Sequence, residues 1–226
     1  MFSNCIMNVY YTTVATKNHP ILQNIIKKIN KNKEKMYILG LQENRYIGWN
    51  AKGNFGVKLK EVHQFIFQEN MKPNDIVIFT DAFDVIYSGT LRDISERFLQ
   101  MNSPLVFGCE TTCNPDPERH VQYKKKDVEF PYLNSGMFIG HIWALRECMQ
   151  NYTYNDSHDD QRFWTTQFFE KPHLFKLDYE NELFLNTYGV DLNNIIWLNE
   201  TCTYKGKTPT FIHVNGPNKN DLQKFL

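Results

Sequence analysis

The sequence has no run of about 18 apolar residues, the length a helix needs to cross a bilayer. Its first 15 residues carry no basic segment followed by an apolar core, so no signal peptide is expected there. The expectation is a soluble protein with no membrane partner. That is compatible with the cytoplasm, although the compartment itself is left unknown. Charge of one sign is missing too, since 25 lysines and arginines balance 25 aspartates and glutamates. A neutral chain has no field with which to collect nucleic acid or an anionic membrane, so neither is expected as a partner. The five cysteines (Cys5, Cys109, Cys113, Cys148 and Cys202) are odd in number and lack paired zinc spacing; only Cys109 and Cys113 lie close together. No internal repeat and no low-complexity linker divides the chain, and 226 residues suit a single domain, 1–226. The number of subunits is open, a homo-oligomer included.

With 42% hydrophobic and 22% charged residues, the composition is that of a folded chain. Lys27, Lys28, Lys31, Lys33 and Lys35 read as a solvated helix face and turn. Sequons at Asn151, Asn155 and Asn199 say little about compartment in a chain without a signal peptide. Strand-like and helix-like segments alternate. Residues 9–15 are rich in β-branched and tyrosine side chains and read as a strand. Pro20 opens a helix with Ile21, Leu22, Ile25, Ile26 and Ile29 on one side. Residues 35–41 read as a second strand, Gly53 and Gly56 punctuate a loop, and 57–70 read as a helix. Residues 75–80 hold four consecutive apolar positions between polar ones, as suits a central strand covered on both faces. A helix over 91–100 and a strand over 105–109 follow. This βαβαβ order predicts an α/β fold with a mostly parallel central sheet flanked by helices, which binds its ligand at the carboxyl ends of the strands. Further on, 136–142 read as a strand, 159–169 as a helix and 210–213 as a short strand.

The sharpest local feature is Phe79-Thr80-Asp81-Ala82-Phe83-Asp84-Val85. Two aspartates follow the buried strand at the edge where such sheets hold ligands, and they would repel each other unless a cation lay between them. Magnesium or manganese suits hard oxygen ligands and can also hold a diphosphate; a turn is the plainer reading. His213, in Phe211-Ile212-His213-Val214-Asn215-Gly216-Pro217, either completes a mixed oxygen–nitrogen site or is a satisfied core residue. In Asp156-Ser157-His158-Asp159-Asp160-Gln161, the acids either cap a helix or set one carboxylate against a sugar, whose transfer passes through an oxocarbenium-like state. In 131–140, Gly136 permits close approach to a ligand while Asn134 and Ser135 offer hydrogen bonds; a tight turn between strands is the alternative.

Taken together and in this order, the chain resembles the glycosyltransferase domain of the procollagen lysyl hydroxylases. The resemblance runs from Thr13-Val14-Ala15-Thr16 to the last residues. Its most specific parts are Phe79 to Val85, Asn134-Ser135-Gly136-Met137-Phe138-Ile139-Gly140, Asp159-Asp160-Gln161 and His213-Val214-Asn215-Gly216-Pro217. It implies a GT-A-type, Rossmann-like nucleotide-sugar-binding domain with Mn2+ held by Asp81, Asp84 and His213. It sets Phe83 near the uracil ring, Ala15 and Thr16 near the nucleoside, and Lys58 and Lys219 near the diphosphate. Asn134, Ser135, Gly136 and Gly216 join the donor-binding set, and Asp159, Asp160, Gln161 and Asn215 the sugar and acceptor side. The implied activity is transfer of glucose from UDP-glucose to galactosyl-hydroxylysine of collagen or a collagen-like protein, forming an α-1,2 link with retention. A hydroxylysine galactosyltransferase, a transferase to another saccharide and a non-catalytic module of the same fold are the alternatives. Intact Asp81, Asp84, His213, Asp160 and Asn215 argue against the last. The chain departs from the family in two places: Ser157 and His158 break the acidic run before Gln161, and Asn114 stands where the family often has tryptophan.

Overall fold

The computed structural model describes residues 7–48, 54–125 and 127–226; Cys5 and Gly53 lie outside them. Strand β1 (Val9–Val14) leads through an extended His19 into helix α1 (Pro20–Asn32). Pro20 begins the helix, His19 Nδ1 accepts from Ile21 N at 3.3 Å, and Ile21, Leu22, Ile25 and Ile29 are buried while Ile26 is half-buried. On the outer face Lys28 and Lys31 meet Glu200 at 2.9 and 2.7 Å, an exposed cluster of the solvated kind expected. Next come β2 (Met36–Leu39), α2 (Gly56–Ile66), β3 (Ile76–Asp81), β4 (Val85–Tyr87), α3 (Leu91–Gln100) and β5 (Leu105–Glu110). Helix α3 has the expected bounds, with the Thr90 side chain accepting from Asp93 N at 3.1 Å as its cap. Helix α2 ends four residues early. Its last carbonyl, Ile66 O, accepts from Arg146 Nε at 2.7 Å, and the same guanidinium takes Gln68 O and Met71 O, so the chain leaves the helix around that side chain.

The later part of the chain comprises β6 (Tyr132–His141), α4 (Ile142–Met149), α5 (Asp160–Glu170), β7 (Phe175–Leu177), β8 (Phe184–Asn186), β9 (Ile195–Leu198), β10 (Thr201–Tyr204) and β11 (Phe211–His213). The six-stranded sheet has the order β2-β1-β3-β6-β5-β7. Only β6 runs against the others, so five of its six strands share one direction, as expected of a mostly parallel sheet. Strand β3 is covered on both faces. Val77 and Phe79 pack with α2, α4 and α5 residues such as Val62, Leu145 and Trp164, whereas Ile76 and Ile78 pack with Ile25, Ile94 and Phe98 of α1 and α3. Phe138 stacks between Phe79 and Phe107 at 4.9 and 4.8 Å. Burial of each such side chain is worth about 1.5–3 kcal/mol, which makes this strand the anchor of the sheet.

Two further features build the site. Residues 132–140 are not a tight turn; they belong to β6, which starts four residues earlier than expected. Its ladder with β5 passes from Phe107↔Phe138 to Gly108↔Asn134, so Ser135, Gly136 and Met137 bulge out of register. A second, three-stranded sheet, β4-β11-β8, pairs His213 with Val85 on one side and with Asn186 on the other.

Candidate active site

The carboxyl ends of β1, β3 and β5 meet the bulge of β6 at one edge of the sheet, and a cleft of about 920 Å³ opens there. Asp81 closes β3 and Asp84 precedes β4. Because β11 pairs with β4, His213 arrives beside them from a position far along the chain. Its Nε2 stands 3.7 Å from Asp81 Oδ2 and 3.3 Å from Asp84 Oδ1.

The network behind His213 fixes which nitrogen faces the acids. Asn186 is fully buried, and its Nδ2 donates to Cys109 O at 2.8 Å, so its Oδ1 must face His213 Nδ1, 2.9 Å away. Nδ1 therefore donates, and Nε2 is the nitrogen that faces the two carboxylates. Three electron-rich atoms that converge in this way need a cation or a proton among them. One ligand atom from each of Asp81, Asp84 and His213 falls within 4.8 Å of the others, a donor set that suits a hard divalent cation. Gly136 leaves the room for this: a Cβ there would lie 2.4 Å from His213 Cε1.

Lysines balance the acids. Lys58 Nζ lies 2.6 Å from Asp81 Oδ1 and 3.4 Å from Asp160 Oδ2, and Lys219 Nζ donates to Asp84 Oδ2 and to Val214 O at 2.7 Å each. Burial opposes the Lys58 charge, but Asp160 and Asp81 outweigh it and raise its pKa above the ordinary lysine value. Burial would also raise Asp84, yet His213 and Lys219 hold that carboxyl well below the usual range.

Of the acidic pair, Asp159 is the cap of α5, its Oδ1 accepting from Arg162 N at 2.9 Å, and it also lines the cleft. Asp160 is buried and aimed inward, with Ser135 Oγ donating to its Oδ2 at 2.9 Å; burial raises its pKa, with Lys58 opposing. Gln161 saddles the bulge, its Oε1 accepting from Ser135 N at 2.6 Å and its Nε2 donating to Leu133 O. The Asn134 side chain accepts from Gly136 N and His213 Nδ1 and donates to Glu110. Asn215 donates to Glu110 Oε2 at 3.1 Å and accepts from Tyr188 N at 2.8 Å. Gly216 has φ +81°, and a Cβ on it would lie 2.4 Å from the Tyr188 ring. Phe83 lines the cleft and packs on His19 with ring centroids 4.9 Å apart. Ala15 and Thr16 are the exceptions: both are buried, and the residue of β1 that lines the cleft is Val14. Chain direction explains the shift, because Ala15 turns in to pack with Leu22 and Ala82. Thr16 Oγ1 is buried without a hydrogen-bond partner among the described residues.

Sequence reasoning did not single out Glu110 or Tyr188. Glu110 is buried in the cleft wall, where burial, partly offset by Asn134, pushes its carboxyl up to about 7. Nothing in its local sequence marks it; only its place at the end of β5, the same edge as Asp81, would have done so. Cys109, Cys113, Cys148 and Cys202 are free thiols. No helix among the described residues is long and apolar enough to cross a membrane.

Solved structures share this architecture. A glycosyltransferase involved in glycosylation of the major capsid of PBCV-1 superposes with a TM-score of 0.52 over 96% of this chain and 97% of that one, at 10% identity. The galactosyltransferase LgtC, solved with donor and acceptor sugar analogs, does so with 0.50 over 92% and 87%, at 12% identity. The fold is that of the GT-A glycosyltransferases. Residues 6–226 match the PLOD GT domain, and the chain belongs to that glycosyltransferase family. Among its relatives, an uncharacterized protein R699 of Acanthamoeba polyphaga mimivirus is 31% identical, covering 82% of this chain and 41% of that protein. The procollagen-lysine,2-oxoglutarate 5-dioxygenase of Drosophila melanogaster is 30% identical over 83% and 28%. The multifunctional procollagen lysine hydroxylase and glycosyltransferase LH3 of Rattus norvegicus is 30% identical over 72% and 23%. The chain thus spans less than half the length of each of these relatives.

Proposed function

We propose that residues 1–226 act as one catalytic unit that transfers glucose from UDP-glucose to galactosyl-hydroxylysine of collagen or a collagen-like protein, with retention and an α-1,2 product link. The convergence of Asp81, Asp84 and His213 on one point at the sheet edge carries this reading, and the collagen acceptor comes from the names of the relatives. Asp81, Asp84 and His213 hold Mn2+, which when bound neutralises charge on the diphosphate of the departing UDP. Lys58 and Lys219, already paired with Asp81 and Asp84, supply further positive charge to that diphosphate. Phe83 takes the base, and the unpaired Thr16 hydroxyl and Ala15 lie behind the nucleoside. Gly216 lets the backbone approach the donor closely. Asp160, held by Ser135 and Lys58, presents its carboxylate to the anomeric centre as positive charge builds there. Asn134, Gln161 and Asn215 keep His213, the bulge and Glu110 in position.

UDP release measured with UDP-glucose, UDP-galactose and UDP-xylose, with and without galactosyl-hydroxylysine, tests the proposal. Release should be highest with UDP-glucose and the acceptor, should be lost on chelation and should return with manganese. Asp84→Ala should abolish transfer and weaken UDP binding while the protein stays folded. Full activity of the folded variant in chelator would remove the metal site. A preference for unmodified hydroxylysine with UDP-galactose would make the enzyme a galactosyltransferase.

A further inference from the structure

Tyr188 follows β8 and is held by its main chain on both sides. Its N–H donates to Asn215 Oδ1 at 2.8 Å, and its carbonyl accepts from Thr111 Oγ1 at 2.9 Å. The next residue, Gly189, has φ +81° and packs so closely on Thr111 that a Cβ would lie 2.6 Å from Oγ1. The backbone is therefore fixed, yet the Tyr188 side chain lines the cleft and stays 39% exposed. Its hydroxyl makes no hydrogen bond, and its ring meets no other ring or cation among the described residues. One edge of the ring lies against Gly216, where only a glycine fits. A rigidly mounted aromatic ring whose other surface opens into a polar cleft is a stacking platform in need of a partner.

The sheet order says which partner. Strand β1 lies on one side of β3, and β6 followed by β5 lie on the other. The nucleoside side of the proposed reaction is at β1 and Phe83. Thr111, directly after β5, ties Tyr188 to the opposite side, where Asn114 and Pro115 also line the cleft. A group bound there meets the anomeric carbon from the side away from the nucleotide, as an acceptor must. Pyranose rings carry a face of C–H groups that packs on aromatic rings and a rim of hydroxyls that needs polar partners; Asn114, whose side chain is exposed, offers one such partner.

We infer that Tyr188 is the platform on which the acceptor saccharide stacks, which makes it an acceptor-binding residue. This rests on the glycosyltransferase reading of the same cleft. Tyr188→Phe keeps the ring. Tyr188→Leu keeps apolar bulk against Gly216 but removes the π face, so the donor-side turn stays supported. Two measurements are needed: glucose transfer to galactosyl-hydroxylysine, and ligand-observed NMR binding of methyl β-galactoside to protein saturated with manganese and UDP. In Tyr188→Leu the acceptor KM should rise about tenfold, with kcat and UDP affinity little changed, and the galactoside signal should be lost. Tyr188→Phe should behave as wild type. An unchanged acceptor KM in Tyr188→Leu, an equal loss of UDP affinity, or no galactoside binding by the wild type would each overturn the inference. Transfer by wild type with an unchanged Tyr188→Leu would sink the platform and leave the proposed activity standing. Galactoside binding that depends on the ring, in a protein that releases no UDP from UDP-glucose, would do the reverse.

Discussion

Asp159 and Asp160 are adjacent, yet the structure gives them different work. Asp159 bonds the first turn of α5, while Asp160, one residue on, points into the cleft against Ser135 and Lys58. Substitution should separate them. Asp160→Asn keeps shape and removes charge, so turnover should fall roughly 100-fold with little change in UDP affinity. Asp159→Ala should instead cost about 1 kcal/mol of stability through the lost cap, with a smaller effect on rate. Urea unfolding alongside initial rates distinguishes the two. Equal rate losses in both variants would show that the pair acts as one charged unit.

At the scale of elements, the site depends on two register choices. The pairing of β11 between β4 and β8 sets His213 beside Asp84 and in front of Asn186. The bulge in β6 brings Gly136 against the imidazole and turns Ser135 toward Asp160. Gly136→Ala is therefore predicted to push His213 off the two carboxylates, since its Cβ would stand 2.4 Å from the ring. Manganese affinity, measured by titration calorimetry, should fall at least about tenfold while the circular dichroism spectrum is retained. Unchanged affinity would mean that the bulge can shift as a body and that the imidazole is not confined by it.

Over the whole molecule, the cleft concentrates buried acid. Glu110 has its carboxyl pushed up to about 7 by burial, from an ordinary glutamate value of 4.5. The folded state thus holds a proton that the unfolded chain releases at lower pH, and stability should fall as pH rises between those two values. Glu110→Gln cannot titrate. The difference in unfolding free energy, variant minus wild type, should therefore grow by on the order of 2–3 kcal/mol from pH 4.5 to 8. Asp178, also raised, is common to both proteins and cancels. Denaturant unfolding in chelator measures this slope, and a flat difference across the range would show that Glu110 stays ionised in the folded protein.

The sequence alone determined the alternating strands and helices of the first half, the buried strand β3 and the carboxylates at its end. These follow from local causes: runs of β-branched residues, a proline at a helix start, and an apolar stripe that recurs every turn. It also supplied the identities of Asp81, Asp84 and His213 as a candidate set, through their resemblance to a known family. It did not yield β4, α4, or the four short strands from β7 to β10. These segments are three or four residues long in the strands, or begin where a strand was expected to continue, so no local period marks them. Nor did it supply Glu110, Asn186 or Tyr188. Each owes its place to a partner far along the chain: Asn215 for Glu110, His213 for Asn186, and Thr111 and Gly216 for Tyr188. Local propensity is set by neighbours within a few residues, whereas the chemistry of this cleft is set by which strand ends the sheet order brings to one edge, and only the packed tertiary structure decides that.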